Sequence, residues 1–497
     1  MSGLDEVAAR ARETRIAVVG GGMAGMAAAL ECAKVGLSVT LFEASGRLGG
    51  TVRSAEVGGV RVDVGAESYA TRGGAVRALV EELGLGDAIV TPAAGRAWVA
   101  GLDGSKGGAD AAPLPAGGVL GIPSNPWDPD VVRIIGTRGA WRAYLDRLRP
   151  LLTIGSEHSL GRLVRTRMGD RVLDRLVAPV TTGGYSARPD DIDVDVAAPG
   201  LNAALTRVGS LTGAVAALRM PGKAPGAAVE GIDGGMSRLV DALRERLVAY
   251  DVRIRTGVAV TALTPDGDRW SLDVDDTSAM DAAGPSAGTA FDYVIVAAPE
   301  TVARRLLAPH ADLDDEAPVA PVVEIVTLVV DAPALDTPPR GTGVLTVPGT
   351  YRAKALTHST AKWAWLARDV AGSAGSTHVL RVSFGAQDEA PATESLDDAQ
   401  AAALALAEAS ALLGLGDGEL RLLDARRDRF VQSQPAAVIG RAELAASARV
   451  AVAAVAGLGV VGAWIAGTGL AQVIPDAVKE ADRVRDGALW VRSDPAE

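Results

Sequence analysis

Gly20, Gly22 and Gly25 stand in the stretch GGGMAG, directly after the apolar run RIAVVG, and Glu43 ends the next apolar run, LSVTLFE. This spacing suits a phosphate. The first glycine permits a tight turn, the second lets backbone approach a pyrophosphate, and the third lets a helix pack close on a strand. Free N–H groups at the helix start hold the phosphate charge. An acid at the end of the second strand can accept hydrogen bonds from ribose hydroxyls. A glycine-rich turn in an unrelated doubly wound domain would show the same glycines. The strand before, the helix after and the acid in place favour a bound dinucleotide. The stretch GRLGGT, Gly46 to Thr51, adds an Arg and two more glycines, as if backbone passes close to a ligand again. VDVGAES, ending at Ser68, follows a short strand and fits a third contacting loop.

These loops need elements to hold them. RIAVVG reads as a buried strand, GGGMAGMAAALECAKVG as a turn entering a helix, and LSVTLFE as a second strand. The unit has the size of a parallel strand–helix–strand crossover, about 30 residues. From Thr91 to Lys223, Pro-rich loops give way to helical stretches such as SLGRLVRTRMGDRVLDRLV. After Ala224 come the turn GIDGG, the helix MSRLVDALRERL, the strands VRIRTGVAVTAL and RWSLDV, and the buried strand FDYVIVAAP. MDAAGPSAGT reads as a flexible hairpin loop. Residues 304–435 mix strands with a long Ala/Leu helix near 396–413. The expected division is a discontinuous cofactor-binding domain of 1–92, 223–303 and 436–497, a mainly helical domain of 93–222, and an α+β domain of 304–435.

The length of 497 residues fits two or three domains. A net charge of −12 leaves no positive field for nucleic acid. Any anionic substrate must therefore meet locally placed Arg or Lys. One cysteine, Cys32, allows no intrachain disulfide, which suits a reducing cytoplasm. His158, His310, His358 and His378 lack metal-ligand spacing, so no metal is expected. The N-terminus has no apolar segment of the secretory kind. Val450 to Pro475 runs 26 residues without a charge or a histidine, long enough for a membrane span. Its five glycines weaken a helix interior, however. LGVVGA reads instead as the last central strand, buried on both faces, and GTGLAQVI as a glycine turn opening a helix. No transmembrane span is expected. The location expected is cytoplasmic, with peripheral membrane contact left open.

The stretches VVGGGMAGMAAAL, FEASGRLGGTVRS, DVGAESYATR, GIDGGMSRLVDAL, VIVAAP and GAWIAGTGL together resemble the flavin-containing amine oxidase superfamily. PLPAGGVLGIPS and SLGRLVRTRMGDRVLDRLVAPVTTGGYSARPDDIDV are similar to the bacterial porphyrinogen oxidases within it. The resemblance covers nearly the whole chain. It implies an α/β fold: a Rossmann-like FAD-binding domain of the amine oxidase and porphyrinogen oxidase type, a mixed α+β substrate domain and a helical insertion domain. It also implies cofactor positions. The FAD diphosphate would lie on Gly20, Gly21, Gly22, Met23, Ala24 and Gly25. The adenosine ribose would meet Glu43 and Ala44. Arg47, Gly65, Ala66, Glu67 and Ser68 would line the ribityl and isoalloxazine side. The backbone of Val260 would meet the adenine. Thr468, Gly469 and Leu470 would sit at the flavin ring, where the dipole of the last helix favours negative charge on reduced flavin.

The implied reaction is oxidation of a porphyrinogen in haem biosynthesis by three two-electron hydride transfers to flavin. Molecular oxygen would be the acceptor, with release of hydrogen peroxide. The cofactor carries the chemistry and the protein positions the macrocycle, so no catalytic side chain is expected. Gly183, Gly184 and Tyr185 are candidates for the substrate face; they also read as a helix-ending turn. Arg72 is the candidate anchor for a propionate, or else a solvated surface Arg. Of Arg162, Arg165, Arg167, Arg171 and Arg175, one or two would be further anchors and the rest a solvated face. The Ala/Gly/Arg-rich composition suggests a high-GC bacterial source; the resemblance to soluble relatives of that kind implies coproporphyrinogen III as the expected substrate, ahead of protoporphyrinogen IX. The superfamily also admits an amine oxidase, and the fold would equally serve a non-catalytic haem-pathway flavoprotein. Transient contact with other haem-pathway enzymes is implied. The chain departs from its relatives at Phe430, where Trp is usual, and at Pro435 to Arg441, where P-Q-Y-x-x-G-H is usual. The flavin edge is expected to be smoother and less polar there.

Overall fold

A computed structural model describes residues 3–102, 110–149, 157–218, 229–276, 290–313, 319–371, 375–416, 418–431 and 437–490. The hairpin loop expected at MDAAGPSAGT lies outside them. Five parallel strands form one sheet in the order Arg253–Thr256, Ser38–Glu43, Arg15–Val19, Tyr293–Val296, Leu458–Val460. Its central strands are apolar because both faces are covered. Ile16 and Val18 pack on one side with the helix Met23–Lys34, while Ala17 and Val19 pack on the other with Val294 and Val296. The helix Met23–Lys34 is Ala-rich where it is squeezed between the sheet and the helices Ser237–Ala249 and Leu470–Leu489. Cys32 is fully buried in this packing, and burial pushes its thiol up to about 12, so it is inert.

The uncharged run divides into the end of helix Arg441–Ala453, strand Leu458–Val460, a helical turn Ala463–Ala466, and the start of helix Leu470–Leu489. Among the described residues no helix is long and apolar enough to cross a membrane. LGVVGA does form a strand, but at the sheet margin rather than in the centre. The C-terminal helix stands where a further strand would. Its Glu480 accepts the Val460 N–H at 3.1 Å, and its Arg483 donates to the Leu458 carbonyl at 2.6 Å. The margin is therefore buried and apolar, although among the described residues no strand lies beyond it.

A second sheet has seven strands, in the order Arg421–Val431, Val322–Asp331, Thr377–Phe384, Ala355–His358, Gly343–Thr346, Trp98–Ala100, Ala111–Pro113. One face packs on the helix Asp398–Leu413 through Val326, Leu356, Val382, Ala405 and Ala409. That helix is bounded by a capping box, Asp397 with Gln400, and by Gly414 at φ +71°. A helical layer, from Pro129–Tyr144 to Leu211–Leu218, has its own apolar core. Asp146, fully buried, pairs with Arg167 there and accepts the Leu211 N–H. Ala437 and Val438 join the same core, and the Asp193 N–H donates to the Ala437 carbonyl at 2.6 Å.

Candidate functional site

The three motif glycines do different work. Gly20 has φ +116°, and a Cβ there would lie 2.6 Å from the Ala297 carbonyl oxygen. A Cβ on Gly25 would lie 1.9 Å from the Gly20 oxygen, so only glycine lets this helix sit on this strand. Gly22 faces open space: a Cβ there would meet nothing within 4 Å. It opens the helix Met23–Lys34 without a side-chain cap, and first-turn N–H groups have no intrahelical partner. Glu43 braces the loop beneath. Its Oε2 accepts the Gly21 N–H at 2.7 Å, and its Oε1 accepts the Ser45 N–H at 2.8 Å. Ala44 is exposed beside it. Val260 shares an apolar cluster with Phe42 of the same strand as Glu43. A register shift between Val260 and Ala262 interrupts the hairpin pairing and leaves backbone there for another partner.

A second open helix start lies at Thr468, Gly469 and Leu470. Gly469 has φ +109°, nothing within 4 Å of a notional Cβ, and no side chain capping the helix Leu470–Leu489. This helix packs along Met23–Lys34. Two uncapped helix starts with empty space at both glycines, and an acid beside one of them, suit the anionic and ribose parts of FAD.

The loops GRLGGT and GAES run in contact. A Cβ on Gly65 would lie 1.9 Å from the Thr51 carbonyl oxygen, which accepts the Ala66 N–H at 3.0 Å. Arg381 reaches over from the second sheet and donates to the Val64 and Gly65 carbonyls. It also lies 2.9 Å from Glu67, whose other oxygen pairs with Lys362. Burial alone would raise the Glu67 carboxyl; Lys362 and Arg381 outweigh it and hold the group down at about 2. The Glu67 carboxylate is thus committed to two protein cations. Neither cation belongs to a sequence motif, and no local pattern signals them.

Arg47 is exposed. Its neighbour Arg53 stacks 4.3 Å over the Phe430 ring and pairs with Asp428 at 2.9 Å. The expectation of a less polar segment from Phe430 to Arg441 is corrected at its end. Arg441 is buried and pairs with Glu300 at 2.9 Å; Glu300 also holds Arg304 at 2.9 Å. The end of the segment thus carries a buried ion network, because the Arg441 side chain reaches Glu300. Pro435 and Ala436 lie outside the described residues.

Gly183, Gly184 and Tyr185 close the helix Ala178–Tyr185, with Ser186 at φ +54° as its left-handed cap. The glycine turn and the expected substrate face are one feature. A Cβ on Gly183 would meet the Leu345 side chain at 2.6 Å, and one on Gly184 would meet nothing. Tyr185 has its hydroxyl pKa raised by burial, and the Arg72 charge opposes that shift, so the two candidates are electrostatic neighbours. Arg72 is exposed and, among the described residues, has no carboxylate within 4 Å. The five helical arginines are not free for a substrate. Arg162 pairs with Glu157, Arg165 with Asp190 and Arg167 with Asp146. Arg171 and Arg175 donate to the Ile135 and Ile134 carbonyls.

Next to the helix end at Gly183, residues that no sequence motif singles out form a row. Leu345 pairs with Ala355, Ala355 with Ser383, and Ser383 with Ile325, across four adjacent strands. All four are half-buried, whereas Val344, Leu356, Val382 and Val326 on the opposite face are buried. Interior strands of a large sheet should be covered on both sides. Further along, this face is covered by the hairpin strands Ser54–Val57 and Val60–Asp63 and the helix Ala364–Val370, which pack on Val329 and Val379; at the row itself the helix end at Gly183 meets Leu345, and the row stays half-buried. The next row holds Thr357 and Arg381, leading to Glu67. Two histidines that look isolated in the sequence also meet: His358 Nε2 lies 3.3 Å from His378 Nδ1.

The chain matches the family described as flavin containing amine oxidoreductase over residues 23–485. It is 30% identical over 480 residues to the coproporphyrinogen III oxidase of Mycobacterium bovis, covering 94% of this chain and 95% of that one. It is 28% identical over 529 residues to the coproporphyrinogen III oxidase of Propionibacterium freudenreichii, covering 98% and 94%. Among solved structures, a provisionally named protoporphyrinogen oxidase from Exiguobacterium sp. superposes with a TM-score of 0.80 at 25% identity, over 95% of this chain and 98% of that one.

Proposed function

The chain belongs to the flavin containing amine oxidoreductase family, and on that footing we propose that it oxidises coproporphyrinogen III to coproporphyrin III. Its cofactor is FAD. Bound FAD supplies a hydride acceptor that molecular oxygen can regenerate with release of hydrogen peroxide, three times per macrocycle. The protein's own part is positional. The uncapped starts at Gly22 and Gly469 would hold the charged parts of the cofactor, and Glu43 would meet its ribose. Arg381, Lys362 and Glu67 fix the loop Gly65–Ser68 against the substrate sheet.

The observation that carries the substrate class is the half-buried row Leu345, Ala355, Ser383 and Ile325. Its four side chains carry no charge and span four adjacent strands, as a tetrapyrrole face requires. Amine oxidation is disfavoured by Trp464, which that chemistry would place in an aromatic cage at the flavin. Trp464 is buried, with Arg304 5.4 Å from its ring centre. The decisive experiment is anaerobic mixing of the flavin-loaded protein with coproporphyrinogen III, protoporphyrinogen IX and a polyamine. Rapid bleaching of flavin absorbance by coproporphyrinogen III is expected, followed by peroxide on admitting oxygen. Bleaching by the polyamine alone, or by nothing, would end this assignment. Preference for protoporphyrinogen IX would keep the reaction and change the substrate.

A further inference from the structure

We propose that Lys354 is the inner anchor for a substrate carboxylate and selects a porphyrinogen with four propionates over one with two; this rests on the function proposed above. Lys354 directly precedes Ala355 of the half-buried row, and its N–H donates to the Ser383 carbonyl at 2.9 Å, so the sheet fixes its backbone. Its ammonium donates to Ser186 Oγ at 2.6 Å, at the cap of the helix that ends in Gly183, Gly184 and Tyr185. The side chain is half-buried. Ser186 uses one of three ammonium donors. Among the described residues no carboxylate lies within ion-pair distance, and Glu389 acts on it only from farther off. Burial therefore pulls its pKa down to about 8.

The buried cations named above are built differently. Arg167, Arg381 and Arg441 each sit against a carboxylate, of Asp146, Glu67 and Glu300. A buried ammonium without a counter-ion is costly, and the cost falls when a ligand brings the anion. Arg72 stands near Tyr185 on the same helix end, exposed and solvated. It would accept any carboxylate and discriminate little. Lys354 discriminates by rejection as well as attraction. An uncharged vinyl group placed against it would desolvate the ammonium and leave it unpaired.

The test compares wild-type flavoprotein with Lys354→Met and Lys354→Arg. Anaerobic flavin reduction and steady-state turnover are measured with coproporphyrinogen III and protoporphyrinogen IX. For Lys354→Met, KM for coproporphyrinogen III is expected to rise about tenfold or more, the size of a lost charged hydrogen bond, with kcat nearly unchanged. KM for protoporphyrinogen IX should stay or fall, and Lys354→Arg should restore most of the preference. Equal losses on both substrates, or no change on either, would overturn the anchor while leaving the enzyme assignment intact. A wild-type flavin reduced by neither porphyrinogen would instead remove the assignment and the anchor with it. Replacing an unpaired half-buried charge by an apolar group of similar volume should not unfold the chain. Loss of flavin from Lys354→Met therefore also counts against the proposal.

Discussion

Glu67 shows how much one side chain can carry. Its folded pKa of about 2 lies below the ordinary 4.5, so its contribution is complete above about pH 4.5 and is lost as pH falls through 2. That difference is worth on the order of 3 kcal/mol at neutral pH. Glu67→Gln leaves Lys362 and Arg381 without their shared anion, and a loss of roughly 3–5 kcal/mol is expected. Melting curves from pH 7 to 2 should show the gap between wild type and variant narrowing below pH 4.5. Burial raises Asp63 to about 6 and the Glu67 charge adds to that shift, so the two curves also differ near pH 6, and the Glu67 step itself is read below pH 4.5. Gly25→Ala tests a steric requirement instead. The added methyl would meet the Gly20 carbonyl oxygen at 1.9 Å, so the helix must leave the strand. The purified variant should lack flavin absorbance, and near-normal flavin content would contradict the packing described.

Among the elements, the legible ones are those whose information is local. The stretch from Arg15 to Glu43 announces itself because strand, glycine turn, helix and acid follow one another within a single crossover. The substrate floor is not legible in this way. Leu345, Ala355, Ser383 and Ile325 come from four strands whose pairing is set by the fold, and each residue alone is an ordinary strand residue. The same holds for Glu67 with Lys362, separated by 295 residues, and for His358 with His378. The arginine-rich helix misleads in the opposite way: its charges look available in sequence and are spent on neighbours in space. The floor is tested by filling it. Ala355→Phe should raise KM for the porphyrinogen by at least about tenfold, an overpacking loss of about 1–3 kcal/mol expressed in binding, while flavin content stays normal. Unchanged KM would move the macrocycle elsewhere.

In the whole molecule, the helical layer, the cofactor sheet and the seven-stranded sheet each own an apolar core. They should therefore open separately. Asp146→Ala would strand a buried Arg167 and free the Leu211 N–H. Hydrogen exchange is expected to accelerate by roughly 100-fold or more in 160–218, in keeping with a broken buried pair worth about 3–5 kcal/mol. Exchange in Arg15–Val19 and Ser38–Glu43 should not change. Uniform acceleration across both would mean that the molecule opens as one unit.

The helix Leu470–Leu489 serves both ends of the architecture. Its first turn opens, uncapped, at Gly469, the proposed cofactor contact, and further along Glu480 and Arg483 occupy the outer hydrogen-bonding groups of Leu458–Val460. On the proposed placement, loss of the cofactor would loosen the very element that keeps the sheet margin from offering itself to another chain. Such a margin is a template for aggregation once uncovered. The flavin would act as a solubility factor as well as an oxidant, and cells short of it would accumulate this protein as aggregate rather than as idle enzyme. Light scattering during deflavination, reversed when FAD is present from the start, is the expected sign.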